Sequence, residues 1–190
     1  VLCIHGGGWV EGDKSQFIAL LPRFARKKIM ATSMNYRLAP EVTWKEQVAD
    51  VLQAIDFIRS QQVDTNRIAL WATSAGAHLA LMAASQRVEQ ISCVVTIGAA
   101  THPLELPRDL TNEAFPDVTA ADCSPLLHCT NLPRLLMLHG DQDPVVPLAQ
   151  HTQFVERHPN TESWILNNGD HHLRWPIISG RRMHNKAIEW

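Results

Sequence analysis

Ile68-Ala69-Leu70-Trp71-Ala72-Thr73-Ser74-Ala75-Gly76-Ala77-His78-Leu79-Ala80 decides the fold. Its first five residues are apolar and predict a short buried strand. Residues 77–84 are small and apolar and predict a buried helix. Between them lies a turn, Thr73-Ser74-Ala75-Gly76, with no bulky side chain. A serine on a sharp strand-to-helix turn has its hydroxyl lifted above the sheet, the setting of a nucleophile elbow. The usual pattern is Gly-x-Ser-x-Gly, because small residues let strand and helix pass closely. Here Ala72 replaces the first glycine and Gly76 keeps the second. Taken alone, the stretch reads equally well as a tight turn without chemistry.

Outward from this stretch, strands and helices alternate. Val1–Ile4, Ile29–Met34, Ile91–Ile97, Leu135–Leu138 and Ser163–Leu166 are further apolar runs of strand length. Phe17, Leu20, Leu21 and Phe24 recur at helical spacing, with Pro22 as a flaw. Val48, Val51, Leu52, Ile55 and Ile58 form one face of a helix predicted from Trp44 to Gln62. Pro147–Arg157 predicts a helix with proline in its first turn, and His184–Trp190 the start of another. Residues 102–133, with prolines at 103, 107, 116 and 125, break the rhythm. They predict a loop with short helices, a cap-like insertion. Six strands joined by helical crossovers imply an α/β fold of three layers, with a mostly parallel sheet covered on both faces. The length, 190 residues, suits one domain spanning 1–190.

Composition narrows the function classes. A formal net charge of −2 gives no basic surface for nucleic acid. No apolar stretch reaches membrane-spanning length. The four cysteines, Cys3, Cys93, Cys123 and Cys129, form no Cys-x-x-Cys pair, which argues against zinc. Cys3 and Cys93 read as strand residues. Cys123 and Cys129 sit in a loop-like region and could bridge, but free thiols of a reducing, cytoplasmic compartment are the better expectation. Val1 already lies inside a strand pattern, so a preceding segment is expected.

In parallel sheets, ligands bind at the carboxyl ends of strands, and the candidate chemistry lies there. The first strand runs into His5-Gly6-Gly7-Gly8-Trp9. Its glycines admit positive φ and leave backbone N–H groups free for an anion. Gly7, Gly8 and the N–H of Ala75 are the candidate oxyanion donors. A phosphate loop would need a Gly-Lys-Ser/Thr ending or the spaced dinucleotide glycines, and neither is present. Trp9 is a candidate for the substrate pocket, or plain packing. A serine hydroxyl needs a base. After Ser74, one strand ends in His139-Gly140-Asp141-Gln142-Asp143-Pro144, and another in Gly169-Asp170-His171-His172. Pro144 favours an extended Asp143, which is preferred as the orienting acid, with Asp141 tying the turn to backbone amides. The base is His171 or His172. His5 and His139 end strands and are expected to bond locally, and His78 to support the serine from behind. His102, His128, His151, His158 and His184 read as solvated or loop residues. No histidine spacing suggests a metal.

Together these motifs resemble the α/β-hydrolase superfamily, in particular its esterase branches. His5-Gly6-Gly7-Gly8-Trp9 is similar to their oxyanion motif. Tyr36-Arg37-Leu38-Ala39-Pro40-Glu41, followed by Asp50, is similar to a segment of hormone-sensitive-lipase-like and feruloyl/acetyl-esterase-like enzymes. Ser74-Ala75-Gly76-Ala77-His78-Leu79-Ala80 resembles the elbow of feruloyl-esterase-like and kynurenine-formamidase-like proteins, as do Ser124-Pro125 and His139 to Pro147. The resemblance implies Ser74 as nucleophile, Asp143 as acid and, through the Asp170-His171 pair, His171 as base. It implies a cofactor-free serine esterase for short-chain, aryl or carbohydrate acyl esters, passing through an acyl-enzyme. A formamidase-type amidase on the same triad, or a non-catalytic binding module of the same fold, are the alternatives. Three departures stand out: Ala72 for glycine, Thr73 where hormone-sensitive-lipase-like enzymes carry Asp, and no antiparallel hairpin before the glycine loop. The last implies that N-terminal strands are missing and one sheet edge is exposed.

Overall fold

A computed structural model describes residues 1–61, 64, 67–116, 118–173 and 177–190. Six strands form one sheet: β1 (Leu2–Ile4), β2 (Thr32–Met34), β3 (Ala69–Thr73), β4 (Cys93–Ile97), β5 (Arg134–Gly140) and β6 (Thr161–Leu166). Every pairing is parallel, in the order β2-β1-β3-β4-β5-β6. The expectation that N-terminal strands are missing is corrected. The N-terminal strand β1 is present and lies inside the sheet, bonded to β2 on one side and β3 on the other. The edge next to β1 is β2, three residues long and half-exposed. Of the predicted run Ile29–Met34, only Thr32–Met34 forms the strand.

Parallel strands require crossovers, and the helices supply them. These are α1 (Leu21–Arg26), α2 (Trp44–Ser60), α3 (Ser74–Gln86), the short α4 (Arg108–Thr111), α5 (Ala120–Cys123) and α6 (Pro125–His128), then α7 (Leu148–Arg157) and α8 (Ile177–Glu189). The predicted helix end at Gln62 lies outside the described residues. Thr43 caps α2: Glu46 accepts from the Thr43 N–H at 3.0 Å and from its hydroxyl, so an otherwise orphaned helix-end donor is satisfied. Residues 102–133 hold the three short helices and one 3₁₀ turn, Pro103–Glu105, as the prolines imply.

Alternation along each strand divides the core in two. Leu2, Ile4, Leu70, Ala72 and Val94 face α2 and α3. Cys3, Trp71, Val95, Ile97, Leu136 and Leu138 face α1 and α8, where Phe24 and Ile188 cover them. Helix α3 is buried from Ser74 to Ala84, which is why it is built of alanine, glycine and leucine. It approaches β1 closely. A Cβ on Gly76 would stand 2.2 Å from the His5 carbonyl oxygen and 2.5 Å from that of Ile4, so only glycine fits. All four cysteines are free.

The chain runs outward from β1 to β2, then returns across β1 to β3 and continues the other way. Direction therefore reverses between β1 and β3. Such a switch point opens a crevice at the strand ends, and both the glycine loop and Ser74 border it.

Candidate functional site

Ser74 follows β3 directly and begins α3. Its φ is +51°, a left-handed value that costs a side-chain-bearing residue about 1–2 kcal/mol. Strain of this kind persists only where the surroundings enforce it. Here β3 below and the buried α3 above hold the turn. Ser74 is 8% exposed, so its hydroxyl sits at the floor of the crevice rather than in bulk water.

The glycine loop arches over this serine. A Cβ on Gly6 would lie 3.0 Å from the Ser74 Cβ. Gly7 and Gly8 have φ of +121° and +57°. The Gly7 carbonyl accepts from the N–H groups of Val10 and Glu11 at 3.1 and 3.0 Å, which closes the loop on itself. Among the described residues, the N–H groups of Gly7, Gly8 and Ala75 donate to no protein acceptor. For Ala75 this follows from its place in the first turn of a helix. Gln16 ties the loop to the elbow: its Oε1 accepts from the Gly6 N–H at 3.0 Å and from the Thr73 hydroxyl at 2.8 Å. Tyr36 donates its hydroxyl to the His5 carbonyl at 3.0 Å and stacks on the His5 ring. Arg37 and Asp50, both noted in the sequence, form a bidentate pair with distances of 2.7–3.1 Å that pins the segment before α2.

Asp143 and His171 meet. His171 Nδ1–H donates to Asp143 Oδ2 at 2.6 Å. Asp143 Oδ1 accepts from the N–H groups of Val145 and Val146 at 2.8 and 2.9 Å. Burial drives the Asp143 carboxyl upward, but the hydrogen bond and charge of His171, with the two amides, outweigh it and hold the carboxyl below the ordinary value. The carboxylate is thus charged and fully occupied. The roles expected of the two aspartates in this loop are reversed in one respect: Asp143 ties the turn to backbone amides, while Asp141 Oδ1 is buried without a partner.

The His171 ring rests on Gly98, at the end of β4. A Cβ there would be 2.9 Å from its Cε1, Nδ1 and carbonyl oxygen. Thr73 pairs with Ile97 across β3 and β4, so Ser74 and Gly98 are the next residues on neighbouring strands, which lie about 4.8 Å apart. His171 therefore stands over the position beside Ser74. Its Nδ1 is committed to Asp143, which leaves Nε2 as the acceptor. Gly140 completes the frame: a Cβ on it would stand 2.2 Å from the Gly169 carbonyl, so the loops carrying Asp143 and His171 touch backbone to backbone.

Trp9 is corrected. Its φ of +67° turns the indole inward, where it is 1% exposed and packs edge-on against Phe115. Its Nε1–H donates to His78 Nδ1 at 3.2 Å, and Gln47 donates to its carbonyl at 2.8 Å. It is core, not pocket wall. His78 stands under the elbow as a buried strut, its Nε2–H donating to the Cys123 carbonyl at 2.8 Å. Burial pushes it down to about 4. His5 and His139 bond locally, Nδ1 of His5 to the Gly6 carbonyl at 2.7 Å and Nε2 of His139 to the Val146 carbonyl at 2.9 Å. His139 Nε2 also lies 3.3 Å from Asp143 Oδ2. Two histidines expected in solvent are not there. His151 is 1% exposed on α7 and bonded to Ser163, and His184 stacks on Trp71 from α8. Gln16 and Gly98 were missed. Neither belongs to a motif, and only the tertiary contact gives them a role.

Among the described residues, no group of three or more His, Cys, Asp or Glu is placed to hold a metal, and no helix is long and apolar enough to cross a membrane.

Comparisons with known proteins agree with this geometry. The chain is 29% identical to Esterase LipC of Mycobacterium tuberculosis, over 83% of this chain and 47% of that protein. It spans less than half the length of the curated relatives it matches first. In fold it is similar to an esterase/lipase from an uncultured bacterium, with a TM-score of 0.86 and 20% identity over 99% of this chain and 74% of that one. It is likewise similar to a hormone-sensitive lipase from a metagenome library, with a TM-score of 0.85 and 19% identity over all of this chain and 74% of that one. The fold is thus the α/β-hydrolase fold. The BD-FAE family model matches residues 1–102, more than half of the chain, and the chain belongs to the BD-FAE family.

Proposed function

We propose that this chain is a serine hydrolase that cleaves carboxylic esters through an acyl-enzyme on Ser74. Its observation is the buried Asp143–His171 hydrogen bond of 2.6 Å, standing over the strand end beside a serine with φ of +51°. In this reading His171 Nε2 takes the Ser74 proton as the hydroxyl attacks the ester carbonyl. Asp143 holds the imidazole in its Nδ1–H tautomer and stabilises the charge it gains. The N–H groups of Gly7, Gly8 and Ala75 receive the oxyanion, where each such donor can be worth about 10²–10³ in rate. His171 then protonates the leaving alcohol, and water, deprotonated by the same nitrogen, releases the acid. Residues 102–133 act as a short cap-like insertion in a single domain and are too short for a large lid, which favours small acyl groups.

The test is a panel of p-nitrophenyl esters of increasing acyl length, run beside a matched formanilide. Turnover of the short esters, lost in Ser74→Ala, is expected. Formanilide cleavage faster than ester cleavage would assign the chain to the amidase branch instead. No turnover of either by the folded chain would contradict the reading.

A further inference from the structure

A cleft of about 510 Å³ opens beside the elbow, on the sheet face that carries α1 and α8. Its volume is within the range of small-molecule sites. Thr73, the neighbour of Ser74, and His172, the neighbour of His171, both line it, so the cleft adjoins the elbow and the loop that carries His171. The floor is apolar: Phe17, Leu20, Trp71, Ile97 and Leu173 are all buried.

Two cations stand over that floor. Arg23 comes from α1 and Arg181 from α8. Arg23 reaches across to α8, donating to Asn185 Oδ1 at 2.6 Å and to the Arg181 carbonyl at 3.5 Å. Those acceptors are neutral. Among the described residues, neither guanidinium has an ion-pair partner, and no Asp or Glu lines the cleft. The nearby carboxylate of Glu189 is taken by Lys27. Burial first, and then the charges of Arg181 and Arg26, hold Arg23 below its ordinary value. A second cleft past them adds Arg26 beside the Lys27–Glu189 pair. An apolar slot ending in two unpaired guanidiniums matches one ligand chemistry: an apolar stem that ends in a carboxylate, which an arginine fork grips well.

We propose that this cleft binds the apolar stem and terminal carboxylate of an anionic acyl group, so that the preferred substrates are monoesters of dicarboxylic acids. The substrate part rests on the esterase reading above; the binding part does not.

The test titrates the intact chain calorimetrically with 4-phenylbutyrate and, separately, with the neutral 4-phenylbutyramide. It is repeated with Arg181→Glu and Arg181→Gln, whose folding is checked by melting temperature and whose Ser74 is checked by fluorophosphonate labelling. The expected result is carboxylate binding at least about tenfold tighter than amide binding, about 1.4 kcal/mol. That preference should weaken as salt rises and vanish in Arg181→Glu. In turnover, p-nitrophenyl hydrogen glutarate should exceed p-nitrophenyl butyrate in kcat/KM, again only with Arg181 present. Equal binding of acid and amide, or a preference that survives in both variants, would overturn the proposal. A labelled Ser74 without the preference sinks only the cleft. A preference without labelling sinks the esterase reading and leaves the cleft standing.

Discussion

Asp143 spends both of its carboxylate oxygens, one on the His171 imidazole at 2.6 Å and the other on the amides of Val145 and Val146. One residue therefore fixes the imidazole and the loop that presents it. The two tasks separate by mutation. Asp143→Asn keeps an oxygen for the amides but sets the wrong imidazole tautomer, and should lower kcat about 10³–10⁴-fold with little change in melting temperature. Asp143→Ala should lose the same activity and also melt several degrees lower. Ester kinetics and thermal unfolding on both variants check this.

Gly98 carries no polar group, yet it governs His171. An added methyl would be 2.9 Å from the ring, and its φ of +57° disfavours any side chain. Gly98→Ala should displace the imidazole and cut kcat about 10²-fold, the usual cost of a misplacement near 1 Å. A wild-type kcat in this variant would mean that the base lies elsewhere.

Trp9 offers a contrast between packing and recognition. As a fully buried ring held by His78 and Phe115, its truncation to alanine should cost about 3–5 kcal/mol of stability. Trp9→Phe should cost far less and leave the KM for short esters unchanged. Urea unfolding and steady-state kinetics distinguish this from a pocket role, in which KM would move first.

Acid stability should be set by buried imidazoles. Burial brings both His78 and His151 down from 6.5 to about 4. Each is neutral in the folded chain, so between these values the unfolded chain binds more protons, and stability must fall as pH falls. His78 shows the cost directly: a proton on Nδ1 would face the Trp9 N–H that this nitrogen now accepts. At 1.36 kcal/mol per pH unit, each imidazole can contribute up to about 3 kcal/mol across the window. Urea denaturation at pH 7, 5.5 and 4.5 should show the decline, and His151→Leu should flatten it. Below 3.8, protonation of Asp143, whose folded value is depressed, should remove a further increment.

Much of this was legible in the sequence because it is local. The elbow, the glycine loop and the loop after β5 are short motifs whose glycines answer contacts made within the motif or with one neighbour. The β3 and β4 runs read well because both of their faces are buried, so the apolar run is continuous. What was not legible is set by tertiary packing. Helix α8 begins well before His184, but Ser179, Gly180, Arg181 and Arg182 interrupt the apolar pattern ahead of Met183, Ala187 and Ile188, which join the core. Trp9 beside a glycine loop looks like a pocket wall until its positive φ turns it into the core. His151 reads as a solvated helix residue because its partner, Ser163, is a strand away. Gly98 and Gln16 have no pattern at all; they are defined by what they touch.

The central claim is that Ser74 is an activated nucleophile. Intact-mass measurement after treatment with a fluorophosphonate tests it most directly, beside Ser74→Ala. One adduct on the native chain and none on the variant is the expected result. A folded native chain that takes up no adduct would contradict it.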